Sequence, residues 1–148
     1  MEKSIDAFLA YLKEEFDLGE VDLRTYSPLA LAYIGDGVFD LVIRTLVVER
    51  GNCPPNKLHK RASALVKASA QAGMIERLLP DLTQEEEQIY KRGRNAKSYT
   101  KAKHATVMDY RKATGLEALM GYLYLQGNMK RAIDLIKIGL SEEQKDES

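Results

Sequence analysis

An all-α fold is what the sequence predicts, and three observations predict it. Apolar residues recur at i, i+3, i+4 and i+7 through nearly every stretch that carries them, no segment sustains the alternation of a half-buried strand, and helix start and stop signals punctuate the chain. With 148 residues, 45% hydrophobic and 30% charged, there is apolar material for one core. Residues 1–148 read as a single domain, with a core over about 27–140 and an acidic tail at 141–148.

The elements follow in order. Ile5, Phe8, Leu9, Leu12 and Phe16 form the apolar stripe of a first amphipathic helix, with Ser4 as its cap. Ser27-Pro28 opens a second helix, a hydroxyl for the cap and a proline for the first turn, and the pattern then runs through Val48 to Arg50-Gly51. Pro54-Pro55-Asn56 interrupts the chain before a third helix, Lys57 to Ala72, with Leu58, Ala62, Leu65 and Val66 on one face and Gly73 at its end. A short helix from Met74 stops at Pro80. Thr83-Gln84-Glu85-Glu86 is a capping box that opens a helix ending near Gly93. After a basic loop come a helical stretch around Val107 to Lys112, a strongly apolar helix to Leu125 and a Gln126-Gly127-Asn128 turn. A final amphipathic helix has Met129, Ile133, Ile136 and Leu140 on one side, and its tail frays from Ser141.

Several classes of protein are excluded by composition. The first six residues carry charge where a signal peptide needs an apolar core, and the longest apolar runs, such as Leu46-Val47-Val48, are far below membrane-spanning length. These features predict a cytoplasmic protein with no membrane partner. Cys53 has no partner cysteine, which predicts neither a disulfide nor a structural zinc site. Net charge is zero, yet residues 51–112 hold thirteen Lys or Arg against six Asp or Glu. Gln88 to Met108 contains Lys91, Arg92, Arg94, Lys97, Lys101 and Lys103 and no acid. Such a stretch suits a polyanion, and it equally suits a solvated loop.

Two acids stand out against apolar surroundings: Asp36 within Leu31-Ala32-Tyr33-Ile34-Gly35-Asp36-Gly37, and Glu117 within Thr114-Gly115-Leu116-Glu117-Ala118-Leu119-Met120-Gly121. Burying an uncompensated charge costs several kcal/mol, so this placement predicts a cation between them. Gly35 and Gly37 each cost about 1 kcal/mol relative to alanine inside a helix, a loss that close helix approach recovers. Ala32, Ala113 and Gly121, one turn away from the two acids, leave room for a hydrated ion. Magnesium fits best, since it accepts one or two carboxylates, several waters and a substrate phosphate, whereas zinc favours His or Cys. The two histidines, His59 and His104, lie in basic segments instead. Other readings stand beside this one. Gly35-Asp36-Gly37 also has the composition of a turn, although the apolar period continues through Val42. Thr114-x-x-Glu117 is itself a capping-box pattern, in which the glutamate serves its own helix start. Asp40 reads as a supporting or solvated acid, and Tyr33, Tyr122 and Tyr124 as core or interface aromatics.

The segment Leu31-Ala32-Tyr33-Ile34-Gly35-Asp36-Gly37-Val38 resembles the signature helix of the ribonuclease III catalytic domain, and Glu117 through Leu125 resembles that family's second acidic helix. Leu58-His59-Lys60-Arg61-Ala62, Arg92-Gly93-Arg94-Asn95-Ala96-Lys97 and Tyr110-Arg111 are similar to its compact bacterial branch, Mini-III, which lacks a double-stranded-RNA-binding domain. Ala32 and Thr114 replace two acids of the full-length pattern, so the carboxylate set is halved. The resemblance implies a homodimeric endoribonuclease of double-stranded RNA that leaves 5′-phosphate and 3′-hydroxyl ends. It implies magnesium held by Asp36 and Glu117 as activator of the attacking water. It further implies Tyr33 at the dimer contact and the large-subunit (23S) ribosomal RNA precursor as substrate, with a ribosomal protein as candidate presenter. Lacking a separate RNA-binding domain, such a chain supplies its own phosphate contacts, for which Arg92, Arg94, Asn95, Lys97, Lys101 and Lys103, with His59, Lys60 and Arg61, are the candidates.

Two rival functions remain open at this point. A ribonuclease III fold without catalysis would be an RNA-binding or ribosome-associated protein, and the missing acids at Ala32 and Thr114 keep that rival in play. A helical protein-interaction module would show no salt-sensitive duplex binding.

Overall fold

The computed structural model describes residues 2–96 and 106–147, without the side chains of residues 2–6 and 142–147. Its helices are α1 (Glu2–Glu15), α2 (Pro28–Glu49), α3 (Pro55–Val66), α4 (Ala68–Leu78), α5 (Gln84–Asn95), α6 (Val107–Leu125) and α7 (Met129–Glu147), and no strand occurs among the described residues. The fold is all-α, as the periodicity predicts.

A run of apolar and small residues, broken only by Glu117, makes α6 the axis of the molecule. Ala113 to Leu116 and Ala118 to Leu123 are all buried, so this helix has no broad solvent face and has to be surrounded. Helices α2, α5 and α4 pack around it, and α7 closes the arrangement against α4 and α6. The core gathers Leu31, Phe39 and Ile43 of α2, Ile75 and Leu78 of α4, Tyr90 of α5, and Leu135 and Ile136 of α7.

Helix α2 starts where the sequence places it. Ser27 Oγ accepts the Ala30 N–H at 3.0 Å and Pro28 occupies the first turn. The capping box of α5 is also present: Thr83 Oγ1 accepts from Glu86 N at 3.1 Å, and Glu86 Oε1 accepts from Thr83 N at 2.9 Å. Glu86 does more than cap. Its carboxylate is buried and receives two N–H groups of Arg131 from α7, at 2.9 and 2.8 Å, which fastens the first turn of α5 to the last helix. Between α6 and α7 the predicted turn is a Schellman closure. Asn128 N donates to Leu123 O and Gly127 N to Tyr124 O, with Gly127 at φ +81°.

Five boundaries differ from the sequence reading, the first being that α7 continues as helix to Glu147 through the tail expected to fray from Ser141. The predicted third helix, 57–72, is two helices, because Lys67 adopts an extended conformation (φ −62°, ψ 154°) that ends α3 and starts α4. Gly73 therefore lies inside α4 rather than after a helix. The helical stretch at 107–112 and the apolar helix after it are one element, α6, capped by Thr106, whose side chain accepts from Asp109 N. Helix α1 begins at Glu2, so Ser4 is not its cap, and much of its apolar stripe faces outward: Leu9 is buried while Phe8 and Phe16 are exposed.

Candidate active site

Glycines set the distance between α2 and α6. A Cβ on Gly35 would stand 1.7 Å from the Glu117 carbonyl oxygen, and a Cβ on Gly121 would stand 2.0 Å from the Leu31 carbonyl oxygen. The pairing of Leu31 with Gly121 and Gly35 with Glu117 makes the crossing antiparallel, with backbones in contact. Close approach thus recovers the cost of Gly35 as expected. Gly37 departs from that expectation, because nothing lies within 4 Å of its added Cβ. It faces an apolar depression lined by Phe8, Ile34, Leu41 and Tyr124, among others.

Asp36 directly follows Gly35 in α2, and the crossing carries its carboxylate into hydrogen-bonding range of Glu117. The two acids singled out in the sequence are therefore brought together, although not as a symmetric buried pair. Asp36 is exposed, on the rim of the crossing, whereas Glu117 is half-buried. Burial, reinforced by the adjacent Asp36 carboxylate, raises the Glu117 pKa from 4.5 to about 8, and a hydrogen bond from Gln71 opposes the shift. None of these influences is a cation. At neutral pH Glu117 accordingly keeps its proton unless a positive charge enters the site.

The capping reading of Glu117 does not hold. Thr114 lies well inside α6, two turns past the Thr106 cap, and its hydroxyl donates to the Tyr110 carbonyl at 3.0 Å. Glu117 is free of any helix-start duty. Asp40, one turn beyond Asp36, pairs with Arg44 at 2.9 Å and so is a partnered acid. Among the described residues there is no group of three or more His, Cys, Asp or Glu able to hold a metal. A metal at this site would rest on two carboxylates, with water or substrate completing its shell.

The basic candidates divide into two groups. Arg94 and Asn95 end α5, and the helix is pressed onto α6 at this level because Gly93 sits against Gly115 and Ala118. Arg94 lies over the Tyr90 ring, 5.6 Å from its centroid, and donates to Asn95 Oδ1 at 3.2 Å. Arg92 reaches the Tyr26 carbonyl at 3.5 Å. His59, Lys60 and Arg61 are exposed on α3, about two turns before its end, with His59 Nε2 3.4 Å from Ser63 Oγ and Arg61 donating to Cys53 Sγ at 3.7 Å. Lys97, Lys101 and Lys103, with His104, lie outside the described residues. Tyr33 projects from α2 and is 84% exposed.

One residue of the site escapes the sequence reading. Gln71, in the first turn of α4, is buried, donates to Val66 O at 2.7 Å, and its amide lies close enough to Glu117 to pull that carboxyl's pKa down. The signal was present: Gln71 shares a helix face with Ile75 and Leu78, at i, i+4 and i+7, where an amide is out of place.

Residues 29–128 match the Ribonuclease III domain, and the chain belongs to the ribonuclease III family. Its relatives narrow that class. A Mini-ribonuclease 3 of Clostridium tetani is 45% identical over 136 residues, covering 90% of this chain and 89% of its own. That of Enterococcus faecalis is 46% identical, covering 83% and 98%. A crystal structure of a Fusobacterium nucleatum protein superposes with a TM-score of 0.74 at 34% identity, covering 84% of this chain and 99% of the other. The chain is thus of the Mini-ribonuclease 3 branch, an endoribonuclease of double-stranded RNA. No described helix is long and apolar enough to cross a membrane.

Proposed function

We propose that this endoribonuclease is magnesium-dependent, with Asp36 and Glu117 as its catalytic, metal-holding acids. The observation that carries the reading is the convergence of these two carboxylates over a glycine-tight crossing with no cation to compensate them. A hydrated divalent ion with a taste for oxygen suits two carboxylates and open solvent on the Asp36 side, and a substrate phosphate completes such a shell. Magnesium bound there supplies an activated water and charge neutralisation at the phosphate. The chain's own part is positional: α2 presents Asp36 at the rim, α6 presents Glu117 beneath it, and the exposed side admits the scissile strand.

Around that centre, Arg92, Arg94 and Asn95, with His59, Lys60 and Arg61, contact phosphates and 2′-hydroxyls of an A-form duplex; Lys97, Lys101 and Lys103 extend the same basic stretch. The enzyme acts in the cytoplasm as a homodimer, with Tyr33 in the contact. Exposed Tyr33 and Leu41, about two turns apart on α2, and exposed Phe8, which lines a depression with Leu41, support this, and a two-fold dimer presents one site to each strand of a duplex. The substrate is the precursor of large-subunit ribosomal RNA, with a ribosomal protein as a partner on the precursor particle. The test is incubation of the protein with a structured duplex, with and without magnesium, beside Asp36→Asn. Magnesium-dependent cleavage by the parent and none by the folded variant is the expected result, and equal cleavage by both removes Asp36 from the mechanism. Duplex binding should weaken steeply with salt, and a flat titration removes the basic residues from it.

A further inference from the structure

Gln71 is the one described residue whose buried side chain leaves a polar atom without a hydrogen-bond partner. Its Oε1 is buried and unpaired, although the residue is only 3% exposed. Turning the amide over does not solve the problem, because Oε1 would then face the Val66 carbonyl, which now receives the Nε2 proton at 2.7 Å. An unpaired buried acceptor is destabilising, and an apolar residue of the same size would avoid it. The bond to Val66 O accounts for one amide proton and leaves the other proton and Oε1 unexplained. The rest points to Glu117, on the α6 face against which α4 packs and whose carboxyl the Gln71 amide favours in its ionised form. The Nε2 group has two protons: one is held by the last carbonyl of α3, and the other is available to the Glu117 carboxylate. This geometry exists only because Lys67 breaks the chain between α3 and α4, which sets Gln71 at the start of a new helix beneath α6.

We infer that Gln71 is a positioning residue for the metal site, an amide strut that ties the Glu117 carboxylate to the end of α3 and fixes its orientation for a divalent ion. The inference rests on the reading of Asp36 and Glu117 as the metal-holding pair. Residues that orient a metal ligand in this way change metal affinity by about 10- to 100-fold when replaced.

The experiment is a calorimetric titration of the full chain with manganese or magnesium alone, without RNA, for the parent, Gln71→Met and Asp36→Asn, each with its melting temperature. Metal affinity at least 10-fold weaker in Gln71→Met, with a melting temperature within a few degrees of the parent, is the expected result. Unchanged affinity overturns the inference, and so does a loss of affinity that only accompanies a collapse in melting temperature. Asp36→Asn separates the two levels: if it binds metal like the parent, the pair itself is misread, whereas its loss of binding beside an unaffected Gln71→Met sinks the strut alone. The side-chain amide resonance of Gln71 in the unmodified protein gives a second readout. It should shift on adding magnesium to the parent and stay still in Asp36→Asn; a resonance indifferent to magnesium in the parent overturns the inference.

Discussion

Replacing Glu117 by glutamine should make the protein more stable at neutral pH while abolishing cleavage. In the folded, metal-free protein burial and Asp36 hold the Glu117 pKa near 8, against 4.5 in the unfolded chain. A raised carboxyl pKa means that the folded state binds more protons between those values. Stability contributed by this group is therefore complete below about pH 4.5 and declines as pH rises toward 8. At pH 7 the gap corresponds to about 3 kcal/mol, and above pH 8 to about 5 kcal/mol, at 1.36 kcal/mol per unit. Water on the exposed Asp36 side screens part of that, so about 1–3 kcal/mol should reach an unfolding curve. The assay is urea denaturation in EDTA at pH 5, 6, 7 and 8, at one protein concentration, for the parent and Glu117→Gln. The difference between the two proteins isolates Glu117 from the titration of histidines common to both. It should grow with pH in favour of the variant, and excess magnesium should shrink it by stabilising the ionised pair in the parent alone. A difference that stays flat from pH 5 to 8, or a variant less stable than the parent at pH 8, would refute the reasoning.

Three further outcomes follow from contacts. Gly35→Ala forces α2 and α6 apart and should lose about 2 kcal/mol net of the gain in helix propensity, with a fall in activity of 10-fold or more because the paired carboxylates separate. Gly37→Ala meets nothing and should instead gain about 0.5–1 kcal/mol; denaturation curves for the pair of variants, run alongside duplex cleavage, check both. Arg131→Ala strands the buried Glu86 carboxylate, whose pKa is held down chiefly by that guanidinium, and should cost about 3 kcal/mol at pH 7. Because a depressed carboxyl pKa stabilises the fold only while the group is ionised, the deficit should narrow as pH falls below about 4.5, which an acid titration of the two unfolding curves measures.

The same four-residue pattern occurs twice in this chain and means two different things. Thr83-x-x-Glu86 is a capping box and Thr114-x-x-Glu117 is not. What separates them lies upstream: Leu82 is extended (φ −80°, ψ 141°), so Thr83 begins a helix, whereas residues 107–113 are already helical and leave Thr114 no backbone to cap. Caps and apolar periods are local, which is why α2, α5 and the Gln126-Gly127-Asn128 turn were legible. The break at Lys67 was not, because the apolar period runs on across it and the hydrogen bond that bridges it, from Gln71 to Val66 O, leaves no mark in the apolar pattern. The outward face of α1 was illegible for a related reason: amphipathicity reports that a stripe seeks cover, not that this chain alone provides it.

The site shows the same division at the scale of one residue. Composition marked Gly35 and Gly37 as equivalent flanks of Asp36, yet helical phase makes them opposites. Successive residues turn by about 100°, so Gly35 meets the Glu117 carbonyl, Gly37 points into an open apolar depression, and Asp36 between them lands on the rim. A two-acid site needs that asymmetry. If the proposed pair holds the metal, Ala32 and Thr114 stand where two further acids would, and the ion would have few protein ligands to hold it. Its affinity then depends on how rigidly those few are presented and on how readily Glu117 gives up its proton. A tight crossing supplies the first and works against the second, since the burial that orders Glu117 also raises its pKa. Loosening the crossing should therefore speed proton loss while weakening the ion's hold. Gly121→Ala, whose Cβ would press on the Leu31 carbonyl one turn from the site, tests this trade: its magnesium requirement should rise while the pH at which cleavage reaches half its maximum falls. If both rise together, burial is not what sets the Glu117 proton.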